Sequence, residues 1–141
     1  MKELKIKLDE GAIKPTRAHA NDAGLDLHCL EGGVIWPFGH KVFDTGVHFE
    51  MPDNMYGIVA NRSGLNFKKS IVLGGTGTVD SNFRGSVKAK LYNLSWLPYR
   101  VKAGDRIAQI VLSTYESPEI NIVDSLGDSD RGENGYGSSG R

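Results

Sequence analysis

The chain has 141 residues, room for one domain, since a single core commonly occupies roughly 100 to 200 residues. Seventeen Lys and Arg balance seventeen Asp and Glu, and no basic run marks a nucleic-acid stripe, so a polymeric nucleic acid is not expected, while a small anionic ligand remains open. Cys29 is the single cysteine and the histidines at 19, 28, 40 and 48 lack close pairing, which excludes an internal disulfide and argues against a His/Cys metal centre.

Taken in chain order, the hydrophobic period is two almost everywhere. Leu4, Ile6 and Leu8 open the series, alternating with charged residues instead of forming the apolar run of a signal peptide. Nothing downstream is apolar for long enough to span a bilayer. The expectation is a soluble, cytoplasmic protein without a membrane partner. Asn21-Asp22-Ala23-Gly24 then leads into Leu25, Leu27 and Cys29, with Asp22 and Asp26 four apart and on one face if the segment is extended. Such carboxylates either cap a turn or approach Mg²⁺ beside a polyphosphate. Val47, Phe49 and Met51 read as a further strand, bounded by Pro52-Asp53-Asn54.

Tyr56 to Ala60 reads as a strand and Ser63 to Ser70 as one or two helical turns with Ser63 as N-cap. At the junction, Asn61-Arg62-Ser63-Gly64 is either a cap with a surface Arg or a phosphate site made of a guanidinium, a hydroxyl and free N–H groups. The segment Thr76-Gly77-Thr78-Val79-Asp80-Ser81-Asn82-Phe83-Arg84-Gly85 reads as a β-hairpin holding a carboxylate beside a ring, before a strand over Val87, Ala89 and Leu91. There Asp80 either caps a turn or takes a proton from water for in-line attack on phosphorus, and Phe83 either fills the core or packs on a sugar.

Gly104-Asp105-Arg106 precedes a strand in which Gln109 interrupts an apolar series. Gln109 must find partners, either sheet-edge backbone or a phosphate or metal-bound water, while Asp105 and Arg106 read as a turn residue and an ion-pair partner. Ile120 and Ile122 suggest a last strand, so the folded domain is expected to span 1–123. Residues 124–141 have too little apolar surface to order themselves and form a flexible arm. Arg131, Tyr136 and the run Gly137-Ser138-Ser139 nonetheless describe a strap for a phosphorylated aromatic ligand. Many short strands with regular turns and no sustained 3.6 period indicate an all-β jelly roll or barrel and exclude Rossmann and P-loop architectures.

Together and in order, these five segments resemble the five motifs of the homotrimeric dUTPases, from about Asn21 to the C-terminus. The resemblance implies a jelly-roll or distorted β-barrel subunit of the β-clip kind, a homotrimer with active sites shared between subunits, and Mg²⁺-assisted hydrolysis of dUTP to dUMP and pyrophosphate. That reaction limits uracil entry into DNA and supplies dUMP for dTMP synthesis. By the same resemblance Asp80 is the catalytic carboxylate that positions the water. Arg62, Ser63, Gly64, Gln109, Arg131, Gly137, Ser138 and Ser139 bind phosphates. Gly77, Thr78, Val79, Phe83, Lys88 and Tyr136 hold the nucleoside, and Asp26 meets the metal through water. The chain departs from the usual pattern at Asn61 (commonly Pro), Gly74 (often Asn), Phe83 (usually Tyr) and Tyr136 (more often Phe). A dCTP deaminase on the same scaffold would need Glu where Lys90 stands, three residues before Asn93. A nucleotide-sensing or regulatory protein without catalysis is the other alternative, against which the retained Asp80, Gln109 and arm argue.

Overall fold

Alternating apolar and polar residues bury one face of each strand and leave the other wet. In the computed structural model, which describes residues 3–75, 77–137 and 139–140, this pattern produces a chain of short strands. They are β1 (Lys5–Leu8), β2 (Gly24–His28), β3 (Gly33–Ile35), β4 (His40–Glu50), β5 (Met55–Ala60), β6 (Ile71–Leu73), β7 (Gly77–Val79), β8 (Ser86–Asn93), β9 (Tyr99–Val101) and β10 (Arg106–Thr114), with one helix, α1 (Ser63–Lys69), between β5 and β6. Two four-stranded antiparallel sheets, ordered β1-β4-β8-β6 and β2-β10-β5-β7, are joined by the small β3-β9 pair. The architecture is all-β and jelly-roll-like.

The core fills the space between the sheets. Phe43, Val47 and Phe49 of β4 and Val87, Ala89 and Leu91 of β8 join Leu25, Leu27, Val59, Ile107 and Ile110 in one cluster, each large side chain stabilising the fold by about 1.5–3 kcal/mol. Asn93 takes the next inward position on β8 and is fully buried. Its amide donates to the carbonyls of Ile35 (2.9 Å) and Leu97 (2.7 Å), and its Oδ1 accepts from the Ser95 N–H (2.9 Å) and hydroxyl (2.8 Å), tying the 94–97 loop to β3. Buried polar groups persist only when satisfied in this way.

Three local expectations are corrected. The segment from Gly77 into β8 is not a β-hairpin: β7 pairs with β5, and β8 pairs with β4 and β6 in the other sheet. Ser63 is the first helical residue of α1 and not its cap: Arg62 holds the N-cap position with extended backbone (φ −89°, ψ 126°) and makes no side-chain cap bond. The expected strand at Ile120 and Ile122 is absent; both are exposed, at 85% and 89%, and residues 115–123 carry no regular element. Alternation makes a strand only where the segment pairs with a sheet edge and buries one face, and this exposed segment does neither. Among the described residues no helix is long and apolar enough to cross a membrane.

Candidate active site

The predicted site residues fall into two clusters and an arm. The first cluster is built on β7, the outer strand of its sheet, paired only with β5 through Gly57↔Val79, Ile58↔Thr78 and Val59↔Gly77. Val79 turns into the core, which leaves Gly77, Thr78 and Asp80 exposed. The chain then reverses in a turn closed by the Phe83 N–H donating to the Asp80 carbonyl (3.1 Å) and by Arg84 Nη1 donating to the Ser81 carbonyl (2.6 Å). Phe83 is 47% exposed, so it does not fill the core. Its ring lies over Gly85, where a Cβ would strike it. Glycine there lets ring and backbone meet.

Val59, Gly77, Thr78, Val79, Asp80, Phe83, Ser86, Val87 and Lys88 line a cleft of about 220 Å³. All of the predicted catalytic and nucleoside residues except Tyr136 therefore share one concavity. Lys88 Nζ donates to Ser86 Oγ (3.0 Å) and lies 3.6 Å from Asp44 Oδ2. Burial opposes ionisation of Asp44, but the Gly46 N–H, the Ser86 hydroxyl and Lys88 together hold its carboxyl below the usual range.

The second cluster lies across β2, β10 and β5, where Asp26, Gln109 and Ala60 stand in register. Gln109 Nε2 donates to the Asn61 carbonyl (2.8 Å). Its Oε1 lies over Gly24, and any Cβ on Gly24 would collide with it. Asn61 Oδ1 in turn accepts from the Leu73 N–H, so the Asn at this position anchors β6 while its carbonyl orients Gln109. Asp26, with only 13% of its side chain exposed, is bracketed by two guanidiniums: its Oδ1 lies 3.6 Å from Arg62 Nε and its Oδ2 3.6 Å from Arg106 Nε. Ser63 and Gly64 follow at the helix start, where the first intrahelical bond runs from the Asn66 N–H to the Arg62 carbonyl (3.2 Å), leaving the preceding N–H groups ahead of the ladder.

Asp22 does not join this cluster. Its Oδ2 accepts from the His19 N–H (2.9 Å) and thus caps the turn before β2. Arg106 is the ion-pair partner that its sequence position suggested, and its partner Asp26 brings it into the second cluster. A strict period of two would put Arg106 and Gln109 on opposite faces. The register of β10 against β2 skips Ile107, pairing Arg106↔His28 and then Ala108↔Leu27. This β-bulge buries two consecutive residues, Ile107 and Ala108, and restores Arg106 to the Gln109 face. Two adjacent small or branched apolar residues beside the polar Arg106 and Gln109 were the only sequence signal for it.

His28, Arg62, Leu65, Tyr99, Asp105 and Arg106 contribute to a second cleft, of about 560 Å³. Burial first, then the cationic Arg106, lowers the His28 pKa below 6.5; burial and the Asp105 carboxylate push the Tyr99 phenol up. Asp105 itself accepts from the Lys102 N–H (2.8 Å) as a turn residue. Two guanidiniums, Arg62 and Arg106, thus line the cleft together with the Asp105 carboxylate.

Among the described residues the arm joins neither cluster. Their hydrogen bonds run within the arm, including Arg131 Nε to the Asn134 carbonyl (2.6 Å) and the Gly140 N–H to the Gly137 carbonyl (3.0 Å). Tyr136 is fully exposed, and Gly137 and Ser139 are exposed too. Ser138 lies outside the described residues. Among the described residues no three His, Cys, Asp or Glu side chains gather as a metal site.

With this geometry in place, comparison with known proteins is specific. A Frog virus 3 (isolate Goorha) protein is 47% identical over 135 residues, spanning 96% of this chain and 82% of that one. The deoxyuridine 5'-triphosphate nucleotidohydrolase of Paramecium bursaria Chlorella virus 1 is 41% identical over 95% of this chain and 94% of its own length. Among solved structures, the Staphylococcus bacteriophage 80alpha dUTPase with dUPNHPP superposes with a TM-score of 0.90 at 30% identity, covering 100% of both chains. A mutant dUTPase from phage phi11 of S. aureus, solved to describe coordination of a structural Mg(II) ion, gives a TM-score of 0.82 at 25% identity, covering 88% of this chain and 98% of that one. The family model for dUTPase matches residues 10–140, and the chain belongs to that family.

Proposed function

We propose that the protein hydrolyses dUTP to dUMP and pyrophosphate, and that Asp80 positions the attacking water at the α-phosphorus. One observation carries this reading: the cleft along β7 gathers a carboxylate, an exposed ring and an unpaired strand edge. The outer N–H and C=O groups of an edge strand are hydrogen-bonding groups awaiting a partner. Uracil, whose O4, N3–H and O2 present acceptor, donor and acceptor in a row, supplies one. The Phe83 ring packs against the deoxyribose and disfavours a 2′-hydroxyl. Asp80, exposed at the mouth of the cleft, accepts a proton from water and holds it for in-line displacement of pyrophosphate.

The phosphates require the second cluster, and one chain cannot bring it to Asp80. In the β5–β7 register position 80 lies beside Tyr56, whereas Arg62 follows the far end of β5. Six positions at about 3.3 Å each separate them, roughly 20 Å, far beyond the reach of a triphosphate. A homotrimer in which Arg62, Ser63, Gly64, Gln109 and Arg106 of one subunit face Asp80 of another resolves this. The exposed Ile120 and Ile122 gain burial if the segment leaving β10 lies on a neighbouring subunit. The arm, 124–141, then closes with Tyr136 over the base and Arg131 with Gly137, Ser138 and Ser139 over the β- and γ-phosphates, excluding bulk water.

The donor set near Asp26 fits Mg²⁺ carried mainly by the nucleotide: one carboxylate between two guanidiniums is too few oxygens for a protein cage but suffices to accept from a metal-bound water. Bound there, the ion would neutralise phosphate charge.

The test is pyrophosphate release from dUTP, dCTP, dTTP and UTP with Mg²⁺, on wild type and Asp80→Asn. Release from dUTP alone, abolished in the variant while dUTP still binds, is expected. Equal turnover by the two proteins would remove Asp80 from the mechanism.

A further inference from the structure

The turn that carries Asp80 and Phe83 is stitched mostly to itself. Among the described residues, the hydrogen bonds of 80–85 are Phe83 N–H to the Asp80 carbonyl, Arg84 Nη1 to the carbonyls of Ser81 and Phe83, and a single side-chain bond from outside, from His48. His48 lies on β4 just past a bulge between Asp44 and His48, in register with Lys7 of β1 and Ser86 of β8. Its Nδ1 lies 2.7 Å from the Arg84 carbonyl and its Nε2 lies 3.0 Å from Asp9 Oδ1. A carbonyl oxygen and an ionised carboxylate only accept, so both ring nitrogens must donate. The ring can satisfy both contacts only as the doubly protonated imidazolium.

We propose that His48 is a positioning residue for the nucleoside turn: its imidazolium clamps the Arg84 carbonyl to Asp9 at the end of β1, and loss of one ring proton releases the clamp and lowers the fraction of subunits ready to bind dUTP. The inference rests on the reading of the β7 cleft as the nucleoside site. The charged groups around the ring favour the clamped form. The Arg84 carbonyl first, then Asp9, raise the His48 pKa above its ordinary 6.5, against opposition from partial burial and from Lys7. Elsewhere on this face Lys5 is paired with Glu50 (2.8 Å), and Asp44 is engaged by Ser86 and Lys88. Neutral imidazole has one N–H, so as pH rises through the His48 titration one of the two bonds becomes a contact between lone pairs. A turn held only part of the time binds more weakly by that fraction. The expected step in KM is roughly five-fold, within the worth of one hydrogen bond.

The experiment measures KM and kcat for dUTP between pH 5.5 and 8.5 for wild type, His48→Ala and His48→Gln, taking KM of each variant relative to wild type so that ionisation of the nucleotide cancels. For His48→Ala the ratio should start near five in acid and fall toward one in base, with kcat little changed. His48→Gln keeps two N–H donors on one nitrogen at every pH. Its ratio should start near one and fall below one as wild type loses the clamp, which also covers the case in which the alanine variant does not fold. Nitrogen-15 spectra of histidine-labelled protein should show both His48 nitrogens protonated in acid and titrating above 6.5, with the midpoint lowered by Asp9→Asn. Ratios independent of pH, or a ring neutral throughout, would overturn the clamp while leaving dUTP hydrolysis intact. Undiminished turnover by Asp80→Asn would instead overturn the reading of the cleft.

Discussion

Gly24→Ala separates the site from the fold. The new Cβ would collide with Gln109 Oε1 and lie 2.9 Å from its Cδ and 3.3 Å from its Cβ, the three nearest atoms it meets. The obstruction is the end of a flexible side chain and not backbone, so Gln109 must swing away from β2 and give up its 2.8 Å bond to the Asn61 carbonyl. That bond is worth about 1 kcal/mol. Gly24 has no positive φ, so replacing it with Ala in a strand returns roughly 0.5–1 kcal/mol through backbone entropy. The melting temperature should therefore barely move. On the proposed role of Gln109, the displaced carboxamide would no longer reach phosphate or its associated water, and losing one such interaction, at about 1.4 kcal/mol per factor of ten, should lower kcat/KM roughly 10- to 50-fold. Steady-state pyrophosphate release and a thermal melt on the same preparation are the assay. The decisive control is Gly24→Ala combined with Gln109→Ala. With no long side chain to displace, the double variant should match Gln109→Ala alone. Additive losses, or a large drop in stability without loss of activity, would refute the reasoning.

Removing residues 131–141 should cut turnover of dUTP severely with a melting temperature unchanged within a degree or two, because the arm's hydrogen bonds run within itself; circular dichroism melts beside the activity assay check both halves. Asn93→Leu should cost about 3–5 kcal/mol in denaturant unfolding. It orphans the Ile35 carbonyl and the Ser95 N–H, while the Leu97 carbonyl keeps the Ser95 hydroxyl (3.0 Å), and a cost under ~1 kcal/mol would show that water replaces the amide.

Much of this protein was legible locally. Period-two alternation marked the strands around Leu25, Val87 and Val47, because burial on one face of a sheet imposes that spacing wherever the strand pairs. The grouping of Gly77 to Lys88 was legible too, though not as the expected hairpin: β7 and β8 belong to different sheets, and the short turn between them returns sequence neighbours to one cleft. The same rule failed at Ile120 and Ile122, where alternation is present but the segment lies exposed and forms no strand. It failed again at Arg106, because a bulge at Ile107 changes the face of everything before it and is set by the register of β10 on β2. The separation of Asp80 from Arg62, the bracketing of Asp26 by two arginines and the bridge from His48 to Arg84 all depend on which strands lie side by side. The sequence by itself determined most of the elements and the candidate reacting groups, since these follow from short-range periodicity and side-chain chemistry. Only the tertiary structure decided which groups share a cleft, because strand order and register are set by burial summed over both sheets, a sum that no single segment contains.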